Sequence, residues 1–138
     1  MIGSEMRIRT RSWAQIEGFY LSCAGKHPTM FAGLFELVRH VARADYSAAL
    51  FPYTSVNTLV LAQTSEVLDG QERLMIHPLG DGRLWFALSS QVGWPILGDR
   101  PPLLGDRPDW NRVVAADSAI QVLTRFLDRI GWVSGTGH

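Results

Sequence analysis

The sequence holds one cysteine, Cys23, and one lysine, Lys26, in 138 residues. A lone thiol excludes an intrachain disulfide, and with it the small secreted scaffolds that rely on such bridges. A reducing, cytoplasmic setting is the expectation that follows. Excess charge is also missing: 13 basic residues face 13 acidic ones, which lacks the basic footprint of a general nucleic-acid binder. Near-zero net charge leaves little repulsion between copies, so self-association, including a homodimer, is favoured. No run approaches the ~20 apolar residues that cross a bilayer. The opening MIGSEMRIRTRSW has no apolar core of signal-peptide length, so no membrane partner is expected.

Chemistry-bearing motifs are equally scarce. The histidines His27, His40, His77 and His138 include no pair four residues apart, the spacing that converges two imidazoles on one ion. There is no CxxC, Gly-x-Ser-x-Gly, phosphate loop or dinucleotide fingerprint. Neither a metal nor another cofactor is expected. Cys23 falls near the end of a predicted helix, where the dipole disfavours a thiolate. The reading is therefore a buried apolar cysteine, and no catalytic residue is assigned.

What is present suits one folded unit. Hydrophobic residues make up 46% and aromatics 10%, enough for one core in a chain of this length. Residues 1–133 read as a single α+β domain and 134–138 as a disordered tail. Twelve of the 13 cations are arginine, a bias that codon usage in a GC-rich genome accounts for better than selection for bidentate contacts does.

Arg7, Arg9 and Arg11 alternate with Met6, Ile8 and Thr10, as in a short edge strand or a frayed terminus. Ser12 and Gln15 match a capping box. Trp13, Ile16, Phe19, Tyr20 and Cys23 then share a helical stripe, which predicts a helix over 12–24. Pro28 opens a second helix over 28–44. Residues 44–55, interrupted by Pro52, read as a short helical turn and irregular chain. Strands are predicted at 56–63, 72–78 and 83–89, with turns at Asp69-Gly70 and Gly80-Asp81-Gly82. They form an antiparallel meander of three to four strands, with Glu66–Leu68 extending the first hairpin.

Residues 91–110 form a long Pro/Gly loop carrying a seven-residue repeat, Leu97-Gly98-Asp99-Arg100-Pro101 and Leu104-Gly105-Asp106-Arg107-Pro108. Beyond it, 110–116 is a short strand or a helix approach. Asp117 or Ser118 caps a C-terminal helix that Gly131 ends and that packs on one sheet face.

Two sets of site residues follow. Tryptophan and arginine are enriched at binding hot spots, so Trp94, Arg100, Arg107 and Trp110 make a candidate partner surface. The favoured reading of the two tryptophans is that they anchor the loop to the body. Tyr46, Tyr53, His77 and Trp85 make a candidate pocket between sheet and helices. Trp85 and Phe86 are adjacent in a strand and must face opposite ways. The leading functional reading is a non-catalytic cytoplasmic binding module. It would act through protein–protein contacts, like an immunity, antitoxin or chaperone-like accessory protein. Its alternative is a small enzyme or small-molecule binder using the pocket. Nucleic-acid binding through Arg7, Arg9 and Arg11 is a third reading, and an unfavoured one.

Overall fold

A computed structural model describes residues 7–68, 71–89 and 111–132. The predicted turn at Asp69-Gly70, loop at 91–110 and tail at 134–138 lie outside the described residues. Strand β1 (Arg7–Arg9) leads into helix α1 (Trp13–Lys26) and helix α2 (Pro28–Ala42). The capping box forms as expected: Ser12 Oγ accepts from the Gln15 amide at 3.1 Å, and the Ser12 amide donates to Gln15 Oε1 at 3.0 Å. Helix α1 runs through Gly25 to Lys26, where the His27 amide bonds to the Cys23 carbonyl at 2.8 Å. Pro28 at the start of α2 loses nothing, because first-turn amides have no helical acceptor.

A 3₁₀ turn at Asp45–Ala49 precedes strand β2 (Phe51–Ser55). This strand replaces the irregular chain that Pro52 predicts. The proline is tolerated because β2 is the outer strand of its sheet, where a missing N–H breaks no ladder. Then come β3 (Thr58–Ala62), β4 (Glu66–Leu68), β5 (Arg73–Pro78), β6 (Leu84–Ser89) and β7 (Asn111–Val114). A 3₁₀ turn at Ala116–Ser118 leads into helix α3 (Ala119–Ile130), which Gly131 ends in the left-handed region. Ser118 stands at the N-cap without a side-chain cap bond.

The expected three-to-four-strand meander is enlarged. The main sheet has five strands in the antiparallel order β2-β3-β5-β6-β7. Strand β4 does not extend the first hairpin. It pairs with β1 in a separate two-stranded sheet, with Ile8 opposite Val67. The physical reason is matched alternation: Val67 is buried while Glu66 is exposed, and in β1 Ile8 is half-buried while Arg9 is exposed.

Alternation divides the core into two layers. Leu59, Leu61, Leu74, Ile76, Leu84, Phe86 and Leu88 face the helices and pack with Tyr20, Leu34, Leu37, Leu123 and Leu127. Their neighbours Val60, Met75, Trp85 and Ala87 fill the opposite face, with Ile8 and Val67 of the small sheet against them. Trp85 and Phe86 do point to opposite faces, yet both are buried. Trp132 packs back onto the helix-side core. The indole of Trp13 donates to the carbonyls of Ser47 and Leu50.

Two glycines set how closely α2 approaches its neighbours. A Cβ on Gly33 would lie 2.5 Å from the Ala116 Cβ. At Gly82, where φ is +95°, it would lie 2.7 Å from the Thr29 carbonyl oxygen. Alanine inside a helix gains up to about 1 kcal/mol over glycine, but overpacking costs about 1–3 kcal/mol. We expect Gly33→Ala to destabilise the fold by about 1–2 kcal/mol in urea unfolding. Adding Ala116→Gly restores most of that loss, because it removes the atom in the way.

Tyr20 gives a pH-dependent counterpart. Its hydroxyl donates to the Asn57 carbonyl at 3.0 Å, tying α1 to the β2–β3 turn. Burial, and then the neighbouring Cys23, push its pKa well above the ordinary value near 10. The neutral hydroxyl is the folded form, so its contribution is complete below about pH 10 and is lost as pH rises past that point. Tyr20→Phe is expected to lose about 1 kcal/mol at neutral pH. Its stability should then fall less steeply than the parent's between neutral pH and about pH 11, measured by denaturant titration at each pH.

Candidate functional site

The candidate partner residues Trp94, Arg100, Arg107 and Trp110 lie outside the described residues. The four pocket residues are described, and they do not share a lining. Tyr46, on the 3₁₀ turn, packs against the helix-side core. Its hydroxyl is buried and has no hydrogen-bond partner among the described residues. Tyr53 and Trp85 belong to the opposite layer, and His77 sits directly across from Trp85 in the β5–β6 register. A sheet therefore separates Tyr46 from the other three. The expected pocket between sheet and helices does not assemble from these four residues. The physical reason is strand parity: Leu74 and Ile76 face the helices, so His77 on the same strand faces away.

The polar groups on that far layer are tied into the fold. Thr58 Oγ1 lies 2.9 Å from His77 Nδ1, and the His77 and Trp85 rings meet edge to face at 6.3 Å. Arg73 is 1% exposed. Its Nε and Nη2 donate to the Gln71 carbonyl at 3.0 and 2.8 Å, and its Nη1 reaches the Tyr53 hydroxyl at 3.4 Å. A buried guanidinium needs such acceptors, because desolvating it without them costs several kcal/mol.

Nor does the nucleophile reading gain support. Cys23 is half-buried against the core. Desolvation pushes its thiol up, only partly opposed by Lys26, which is the wrong direction for a reactive thiolate. Among the described residues, no three His, Cys, Asp or Glu side chains cluster to hold a metal ion.

The distribution of arginines is more informative. Four of them are matched by carboxylates: Arg9 with Glu66, Arg39 with Glu36, Arg43 with Glu17, and Arg83 with Asp81. Arg112, Arg125 and Arg129 have no ion pair among the described residues, and all three are exposed. They line one groove of about 140 Å³ between β7 and α3, floored by Val122 and Phe126. Strand parity builds this site. Val114 and Arg112 lie two apart on β7, so Arg112 follows Val114 toward the helix side. On α3, Val122, Arg125, Phe126 and Arg129 follow the i, i+3, i+4, i+7 spacing of one helical face. Asp128, on the same helix, makes no ion pair with either arginine among the described residues.

Arg125 and Arg129 stand four residues apart, where like charges repel by about 0.2–0.5 kcal/mol. The repulsion is tolerated at a groove whose lining is dominated by guanidinium donors, which attract an anion. A planar guanidinium binds carboxylate or phosphate bidentately, so three of them in one groove make a receptor for an acidic group. The aromatic and histidine pattern of the sequence does not point to this site. The i, i+4 arginine pair on α3 is its one legible signal, and Arg112 joins it only through the fold.

The chain matches no family model, no curated protein and no solved structure. Among the described residues, no helix is long and apolar enough to cross a membrane.

Proposed function

We propose that this protein is a non-catalytic accessory module that acts by binding another protein. Its described contact surface is the Arg112–Arg125–Arg129 groove, and the partner offers an acidic segment to it. The observation that supports this reading is the contrast between matched and unmatched arginines. Arg9, Arg39, Arg43 and Arg83 have carboxylate partners; Arg11 and Lys26 have none among the described residues, but only Arg112, Arg125 and Arg129 are gathered without one in a single groove. Uncompensated like charge gathered in one concavity attracts an oppositely charged partner and speeds its encounter. Trp110 directly precedes β7 in the sequence, and Arg107 stands three residues before Trp110. With Trp94 and Arg100 they remain candidate partner contacts on the sequence reading alone. A cytoplasmic role of the immunity, antitoxin or chaperone-like kind accords with the neutral charge and single cysteine.

The test uses a fluorescein-labelled glutamate-rich peptide, followed by anisotropy at low salt. The parent protein is expected to bind it, with affinity falling as salt is raised. Arg125→Glu should weaken binding by at least about tenfold, or about 1.4 kcal/mol. The same change should leave the fold's stability within about 0.5 kcal/mol of the parent, because a carboxylate at 125 attracts Arg129 one turn on and repels Asp128 three residues on. Loss of binding with retained stability marks a functional arginine. Equal binding by parent and variant overturns the proposal, as does a single-stranded oligonucleotide outcompeting the peptide.

A further inference from the structure

We infer that the acidic segment docks as an added β-strand on the outer edge of β7, with its acidic side chains at alternate positions on the α3 side. This inference rests on the acidic-partner reading of the groove and specifies how that partner is held. It begins with the two edges of the five-stranded sheet. The β2 edge is closed: Pro52 lacks an N–H, and its carbonyl already accepts from the Arg11 amide at 2.8 Å. At the other end, among the described residues, β7 pairs only with β6, from Leu84 opposite Val114 to Ala87 opposite Asn111. Among the described residues, no backbone group of Asn111–Val114 bonds to anything beyond that ladder. Neither proline nor glycine interrupts the strand. Such an edge is a template for another strand.

The side chains then specify the occupant. A strand added beside β7 lies about 4.8 Å away and sends alternate side chains to opposite faces. One set points toward α3, where Arg112, Arg125 and Arg129 converge. The other set points to the face of Val113, which packs with the Trp85 layer. The complementary segment is therefore acidic on one face and apolar on the other. A second copy of this chain is a poor occupant: an antiparallel β7–β7 pair would bring Arg112 close to its own counterpart, and facing like charges destabilise a sheet.

Peptides separate the mode of docking from simple charge attraction. An alternating Glu-Val hexapeptide is compared with a block peptide of the same composition. It is also compared with two N-methylated forms, one methylated at every Glu amide and one at every Val amide. Strand addition predicts that the alternating peptide binds at least about tenfold tighter than the block peptide. It also predicts that only one methylated form loses binding, because alternate amides face the ladder and solvent. Equal binding by both methylated forms, or equal loss, overturns strand addition while leaving the arginine groove in place. Failure of every acidic peptide to bind overturns the groove reading itself. Self-association that displaces the peptides, seen by sedimentation of the unlabelled protein, makes a second copy the occupant and also overturns the inference.

Discussion

Burial of β3, β5 and β6 on both faces is the constraint around which the rest of the molecule is arranged. A strand with one wet face alternates apolar and polar residues. Strand β3, Thr58–Ala62, is buried at every position, and so is β5, including Arg73 and His77. A sheet of this kind needs a cover on each side. Helices α1, α2 and α3 supply one, and the β1–β4 ribbon contributes Ile8 and Val67 to the other. The polar groups caught in the far layer are then forced into partnership, which is why Thr58 meets His77 and Arg73 turns back to the Gln71 carbonyl. Left unpaired, each would cost more than its hydrogen bonds contribute.

This arrangement is partly legible in the sequence. Helical stripes and their punctuation place α1, α2 and α3, because the capping box, Pro28 and Gly131 act through local backbone chemistry. The unbroken apolar run in β3 signals coverage on both sides. Local signals fail where the outcome depends on partners far along the chain. Strand β4 looks like part of a hairpin, but its mate β1 lies near the start of the sequence. Strand β2 is hidden by Pro52, whose cost vanishes at a sheet edge. The β2–β3 turn carries no glycine or proline to announce it. Val56 occupies the left-handed region there, at φ 58° and 90% exposed. A β-branched residue in that conformation is a departure that propensity rules do not anticipate.

The candidate site shows the same division between local and non-local information. A pocket built from aromatic and histidine residues assumes that Tyr46, Tyr53, His77 and Trp85 converge. Strand parity decides otherwise, and parity becomes informative only when it is known which face meets the helices. Charge gives a better clue. On α3, Arg125 and Arg129 repel each other across one helical turn while Val122 and Phe126 line the same groove. A sequence optimised only for folding would place an acid at one of the two positions. The third arginine is contributed by a strand that composition leaves ambiguous.

Arg73 and the groove arginines illustrate how the same side chain serves opposite ends. The first lies in an interior where the Gln71 carbonyl and the Tyr53 hydroxyl meet its guanidinium. Such a group is committed: any ligand would have to offer more than those oxygens already do, and would have to open the layer to reach it. The groove arginines keep their hydration and lose only a few tenths of a kcal/mol to mutual repulsion. They are therefore available at little cost to the fold. Their helix tolerates this because Ala119, Leu123, Phe126 and Leu127 bury its inner flank and Gly131 closes its end in the conformation glycine favours. Stability comes from the doubly covered sheet, and the charged margin of α3 and β7 is free to be shaped by what it meets.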